Sequence, residues 1–198
     1  MAITTFSGPV RSENGFQTIS RAAVSGTETV ISKSAAPIEN PAGDGITAGT
    51  GTIYKTSVKT EGGIVITSIM IDLTGLTSGG TAGDIIGVPG TNPAWIARIT
   101  NADNGVVFGV KMTCYETPAG GDDDFDLYAA TEGTGVEDGA IGSLTETQII
   151  NSGALAAGTV VYGNGINSRD YLYLVGQGTA NAAYTAGRLL IEIYGTAV

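Results

Sequence analysis

The chain has no histidine and a single cysteine among its 198 residues. Histidine is the usual general base and the commonest metal ligand, so its absence removes Ser-His and Cys-His nucleophile pairs and histidine-based metal sites. No Gly-Lys-Ser or Gly-Lys-Thr follows a glycine-rich stretch, which argues against a Walker-type phosphate-binding loop. We therefore expect that the protein is not an enzyme, and we predict no cofactor and no metal.

Basic residues are also few. Lysine and arginine together number 9 against 19 aspartates and glutamates, which gives a formal net charge of −10. This charge opposes binding to a nucleic-acid backbone or to an anionic lipid surface. No run approaches the ~20 apolar residues of a membrane span, and the N-terminus lacks the pattern of a signal peptide. We expect no nucleic-acid partner, no membrane partner, and a soluble protein that is made in a cytoplasm.

Leucine is scarce, with 9 residues against 60 of isoleucine, valine and threonine combined. These β-branched side chains are stiff at χ1 and favour pleated sheet over helix. The 31 glycines follow no Gly-X-Y period and so indicate frequent turns rather than collagen. The composition predicts an all-β fold whose short strands form a β-sandwich or a jelly-roll-like domain.

Two regions of the chain differ in pattern. Residues 1–50 lack a sustained period and predict an extended N-terminal arm, whereas residues 51–198 contain the alternating runs of a β-sandwich domain. The arm is locally basic, and an extended basic segment on an acidic body is suited to docking on an acidic partner. A disordered tail is the alternative. The candidate docking residues of the arm are Phe6, Val10, Arg11, Phe16, Arg21 and Lys33.

Alternating apolar residues predict the strands, and turn-forming residues predict the hairpins that connect them. Gly62-Gly63 can supply the positive φ angles of a tight turn between the runs 52–59 and 64–73. The turn 101–105 ends in Asn-Gly and predicts a second hairpin over residues 94–116. Residues 144–157 are weakly indicated as a helix, since Ser152-Gly153 interrupts them. Further strands are predicted at 84–88, 94–100, 106–116, 125–129, 159–162, 170–175 and 188–194.

Two strands have clear expected faces. Cys114 ends an alternating apolar run and is predicted to be a buried, inert thiol; the run is Val106, Phe108, Val110, Met112 and Cys114. The final strand is predicted to close the sheet, with Leu189, Ile191 and Ile193 inward and Arg188, Glu192 and Tyr194 outward.

Two clusters are candidates for binding. The acidic residues Asp122, Asp123, Asp124 and Asp126 favour a solvated acidic loop, with a bound Ca²⁺ as the alternative. Tyr171 and Tyr173 alternate along one strand and are predicted, with Tyr194, to contact another subunit or a partner. A glycan platform that also includes Trp95 is the alternative for the first two tyrosines.

The opening MAITTFSGPVRSENGFQ resembles the start of small virion structural proteins of tailed phages, particularly phages of marine bacteria. In those proteins a Ser-Gly-Pro-Val-Arg-Ser-x-Asn-Gly-Phe-like stretch precedes a β domain rich in glycine and threonine. The stretches 171–176 and 184–195 look like their C-terminal strand pair. The resemblance covers about a tenth of the chain at its N-terminus and carries over no catalytic residue.

The resemblance implies a capsid decoration, or cement, protein on the outer surface of the virion. Such a protein binds the major capsid protein and forms a homo-oligomer, with a trimer favoured. The first alternative is a phage tail or fibre component that binds a host surface glycan. The major capsid protein itself and a secreted carbohydrate-binding module rank lower, because no long helix and no export signal are visible in the sequence.

Overall fold

The computed structural model describes residues 41–47, 52–167 and 170–197, together with the backbone of two strands at 16–21 and 28–34. The described part of the chain is an all-β sandwich, which confirms the predicted fold class. The strands in this part of the chain are β1 (Phe16–Arg21), β2 (Glu28–Ser34), β3 (Tyr54–Glu61), β4 (Ile64–Asp72), β5 (Thr77–Ser78), β6 (Ala97–Arg98), β7 (Val106–Ala119), β8 (Phe125–Ala130), β9 (Glu146–Ile150), β10 (Val160–Gly163), β11 (Tyr171–Gly176), β12 (Ala182–Ala183) and β13 (Ala186–Thr196). Its helical segments are α1 (Asp44–Thr47), α2 (Asn101–Asn104) and a 3₁₀ turn (Ile141–Ser143).

The strands form a large and a small antiparallel sheet. The large sheet has seven strands in the order β1-β2-β3-β4-β13-β7-β10, and the small sheet has four in the order β6-β11-β8-β9. A two-stranded pair, β12-β5, completes the described sheets. In the large sheet β13 lies between β4 and β7 and pairs with both along most of its length.

One hydrophobic core holds the two sheets together. Its members from the large sheet include Ile69 and Ile191, and those from the small sheet include Leu127 and Leu174, all fully buried. The prediction for β13 is confirmed, because Leu189, Ile191 and Ile193 are buried while the alternate side chains point away from the core. Cys114 is buried as predicted, and its thiol donates to the carbonyl of Glu116 at 3.2 Å. Burial raises the pKa of this thiol, which keeps it protonated and unreactive.

The first predicted hairpin is present. Strands β3 and β4 pair from Tyr54–Ile71 to Glu61–Ile64, and the turn between them consists of Gly62 and Gly63. These glycines have φ of 58° and 83°, the left-handed values that a two-residue turn of this kind requires.

The second predicted hairpin is wrong. Residues 97–98 pair with β11 in the small sheet, whereas β7 belongs to the large sheet, so the turn at 101–105 carries the chain from one sheet to the other. Thr100 caps α2 by accepting a hydrogen bond from the backbone N–H of Asp103 at 3.1 Å. The side chain of Asn104 then donates to the hydroxyl of Thr67 at 2.7 Å and fixes the turn against β4. A capped helical turn therefore replaces the expected hairpin connection.

Part of the predicted arm belongs to the body. Strands β1 and β2 form a hairpin whose second strand pairs with β3 at two positions, Ser32–Glu61 and Lys33–Thr60. In α1, Ile46 is fully buried in the core. The division of the chain at residue 51 stays a prediction, and the core includes residues that precede it.

Candidate interaction surface

The arm residues that were predicted to dock on a partner are not placed by the structure. Phe6, Val10 and Arg11 lie outside the described residues. Phe16 begins β1, Arg21 ends it, and Lys33 belongs to β2, but their side chains are also outside the described part. Their role as docking residues stays a prediction.

Tyr171 is half-buried and packs within its own domain. Its ring meets the ring of Trp95 edge-to-face, with centroids 5.3 Å apart and an interplanar angle of 67°. The guanidinium of Arg98 lies over the same ring, 5.5 Å from its centroid. A glycan platform needs aromatic faces open to solvent, whereas here the two rings pack against each other. This geometry gives little support to the glycan-binding alternative.

Tyr173 is fully buried, so it cannot form the surface contact that its spacing from Tyr171 suggested. Its hydroxyl donates to the carbonyl of Glu132 at 2.8 Å and accepts from the N–H of Gly135 at 3.2 Å. Burial raises its pKa to about 12. The residues 132–135 cover this face of β11, and for that reason alternation along the strand does not bring Tyr173 to the surface.

The acidic residues 122–126 do not converge on a common point. Asp122 is buried, and its Oδ1 accepts from the N–H of Ala180 at 2.9 Å. Asp126 is also buried, and it accepts from Gln148 Nε2 at 2.6 Å and from Ser152 N at 2.9 Å. Within the described residues, no three acidic or cysteine side chains are grouped so that they could hold a metal ion. The loop was expected to be solvated, but two of its four carboxylates, Asp122 and Asp126, are buried and accept hydrogen bonds inside the domain.

This arrangement predicts different roles for two neighbouring carboxylates. The change Asp126→Ala removes two hydrogen bonds to a charged acceptor and should lower the free energy of unfolding by about 3 kcal/mol. The change Asp123→Ala, at an exposed position, should leave it within about 0.5 kcal/mol. Urea denaturation with and without Ca²⁺ measures both. An equal loss in the two variants, together with stabilisation of the wild-type protein by Ca²⁺, would show a cation site instead.

The outer face of the large sheet is the surface that points away from the core, and it has an unusual composition. Strand register places its side chains in rows across β3, β4, β13, β7 and β10. One row contains Lys55, Met70, Leu190, Thr113 and Val160. The next contains Ser57, Ser68, Glu192, Lys111 and Tyr162. An antiparallel sheet with one solvated face normally places polar residues on it, whereas this face mixes polar and large apolar side chains.

All the large hydrophobic side chains that are exposed in the described part of the chain lie on this outer face. They are exposed by 37% to 75% and are Ile53, Ile64, Met70, Val106, Phe108, Tyr115, Val160 and Tyr162. Three of them and two basic neighbours form a shallow depression of about 510 Å³ on this face, lined by Ile53, Lys55, Met70, Tyr115 and Arg188. Single exposed hydrophobic residues are ordinary, but a group confined to one face marks an interaction site.

A β-bulge explains why Val106 and Phe108 belong to this face. The register of β7 against β13 shifts between Tyr194 and Gly195, which face Gly109 and Val107 and leave Phe108 as the extra residue. The simple alternation predicted Val106 and Phe108 on the same side as Met112. The bulge instead reverses the alternation, so that both are exposed while Met112 remains buried.

The charged groups of the outer face are paired with one another. Lys111 forms an ion pair with Glu192, and Arg188 donates to Asp72 Oδ2 at 2.9 Å. Burial acts to raise the pKa of Asp72, but hydrogen bonds from Thr74 and Arg188 outweigh it and hold the pKa below its ordinary value. Tyr194 is half-buried beside the Lys111–Glu192 pair, in register with Ile66 and Gly109. Of the three tyrosines predicted to meet a partner, Tyr194 is the one on this face.

Comparison with known proteins adds no relative. No protein-family model, no curated protein and no solved structure matches the chain. In the part of the chain that the structure describes, no helix has the length and apolar character needed to cross a membrane.

Proposed function

We propose that the protein is a capsid decoration, or cement, protein that binds the outer surface of the major capsid protein lattice and stabilises the virion. The observation that carries an interface role is the group of exposed hydrophobic side chains on the outer face of the large sheet. The placement on a phage capsid rests on the resemblance of the N-terminal stretch. The absence of histidine supports a structural rather than a catalytic role.

In this proposal the two regions of the chain have different partners. The basic residues of the N-terminal region contact the capsid: Arg11, Arg21 at the end of β1, and Lys33 in β2. The sandwich contributes the contacts between copies of the protein. Many copies on one shell multiply a small contact free energy, so that the shell resists the pressure of the packed genome.

The proposal is tested with particles of the virus that encodes the protein. Particles that lack it should lose integrity at a lower temperature and after chelation of divalent cations, and adding back the purified chain should restore both. Adding back a chain with Arg11→Glu, Arg21→Glu and Lys33→Glu should not. Unchanged robustness of the deficient particles would refute the decoration role. A count of a few copies per particle, rather than hundreds, would favour the tail or fibre alternative.

A further inference from the structure

We propose that the outer face of the large sheet binds the same face of a second copy of this chain. The proposal rests on the proposed function only in so far as that function includes a homo-oligomer, and it assigns the surface through which copies meet. The eight exposed hydrophobic side chains named above supply the apolar part of this contact, and the ion pairs of Lys111 and Arg188 lie among them.

The area of the face matches what one partner contributes to a stable interface. Large apolar side chains have surfaces of about 150–250 Å² each. With exposed fractions of 37% to 75%, the eight residues together present roughly 800 Å², which is the share of one partner in an interface of standard size. In such a contact each copy presents the surface of a sheet. Two sheets pack face to face about 10 Å apart with interdigitated side chains.

The distribution of charge identifies a second copy as the partner. Over β3, β4, β13, β7 and β10 the outer face carries no net charge, because four basic residues are matched by four acidic ones: Lys55, Lys59, Lys111 and Arg188 against Glu61, Asp72, Glu116 and Glu192. Four ion pairs join members of this set directly: Lys59–Glu61 at 3.6 Å, Lys111–Glu192, Arg188–Asp72 at 2.9 Å and Arg188–Glu116 at 3.9 Å.

The rest of the described chain is strongly acidic by contrast. Its single basic residue, Arg98, stands against twelve acidic ones: Asp44, Asp84, Asp103, Asp122, Asp123, Asp124, Asp126, Glu132, Glu137, Asp138, Glu146 and Asp170. Two copies repel each other where the acidic part of the described surface of one copy meets that of the other, and this repulsion is weakest at the neutral face. A neutral face that pairs its own charges has no net charge with which to select an oppositely charged partner. It does meet the requirement of a twofold contact, in which each surface faces itself, and such a contact makes a dimer rather than the trimer that the resemblance implies.

The test is sedimentation equilibrium of the full chain over about a hundredfold range of concentration. The wild-type protein should show reversible association. A variant with Phe108→Asp and Tyr162→Asp places two charges at strongly exposed positions of the face and should weaken the association at least about tenfold. The control carries the same added charge at exposed positions away from this face, Thr134→Asp and Asn151→Asp, and should associate as the wild type does. Circular dichroism checks that all three chains fold equally.

Salt gives a second readout. Raising the ionic strength screens the repulsion between acidic bodies while leaving an apolar contact intact, so the dissociation constant should fall or stay constant. The inference is overturned by a wild-type chain that remains monomeric, by association that survives in the double variant or is lost equally in the control, or by association that weakens more than about tenfold with salt. A wild-type monomer that still decorates and stabilises particles would refute this inference while leaving the decoration role standing.

Discussion

A chain that ends at Gly187 should not fold. The truncation removes nearly all of β13, which pairs with β4 from Arg188–Asp72 to Thr196–Ile64 and with β7 from Ala186–Ala119 to Thr196–Val106. Both neighbours would lose the hydrogen-bonding partner between them, and unpaired backbone groups in a buried position are costly. The core would also lose Leu189, Ile191 and Ile193. Each buried aliphatic side chain contributes about 2–5 kcal/mol, a sum that exceeds the stability of an ordinary domain.

The matched control ends at Thr196 instead. It keeps all of β13 and loses the hydrogen bond from the N–H of Ala197 to the carbonyl of Gly63 at 2.9 Å, so it should unfold cooperatively with nearly the wild-type midpoint. Far-UV circular dichroism during urea titration compares the two chains. Cooperative unfolding of the shorter chain would show that β4 and β7 can form a stable sheet without the strand between them.

The long strands were predictable because one of their faces is continuously buried. In β13 Leu189, Ile191 and Ile193 alternate with Arg188, Glu192 and Tyr194 as the outward residues, with Leu190 as the one apolar exception, and this pattern indicates the register. Gly62-Gly63 in the first hairpin also acts locally, since its conformation depends on the absence of side chains and not on distant contacts. These features carry their structural meaning within a few residues of sequence.

Elements whose partners are distant in sequence were harder to predict. The predicted hairpin over 94–116 is wrong because the Asn-Gly pair was interpreted as the turn signal. The hydroxyl of Thr100 accepts from the N–H of Asp103, and this cap makes the turn helical. The segment 144–157, which the sequence weakly predicts as a helix, instead contains strand β9, which pairs with β8. The segment 84–88 forms isolated bridges, such as Ile85 with Val175, rather than a strand. In the last two cases a tertiary contact overrides the local preference of the segment, whereas the turn at 101–105 is determined by a local cap.

The candidate surface was only partly visible in the sequence. Tyr194 was predicted to point outward and does so. Val106 and Phe108 were assigned to the buried face because a β-bulge changes the alternation without a distinctive residue pattern. A signal that could have been used is the run Ile64-Val65-Ile66, followed by Ile69-Met70-Ile71 in the same strand. Apolar residues on both faces of an antiparallel strand indicate that both faces are covered. In the described part of the single chain, only the core-facing side of β4 is covered.

Two tyrosines provide the last prediction, because they differ in burial rather than in chemistry. Tyr184 is buried, its hydroxyl donates to the carbonyl of Asp122 at 2.8 Å, and its ring meets Phe125 edge-to-face at 6.3 Å. The change Tyr184→Ala should cost about 3–5 kcal/mol, because it leaves a cavity in the core. The change Tyr184→Phe keeps the ring and should cost about 1 kcal/mol for the lost hydrogen bond.

Tyr162 is the matched control, since it is 75% exposed on the outer face. At concentrations where the chain is monomeric, Tyr162→Ala should change the free energy of unfolding by less than about 0.5 kcal/mol. At higher concentrations it should lower the unfolding midpoint relative to the wild type, because association stabilises the folded state by mass action. Thermal unfolding across a concentration series separates the two effects. A loss of stability for Tyr162→Ala that does not depend on concentration would mean that its ring supports the fold of the single chain, which would place the side chain within the domain and not at a contact between copies.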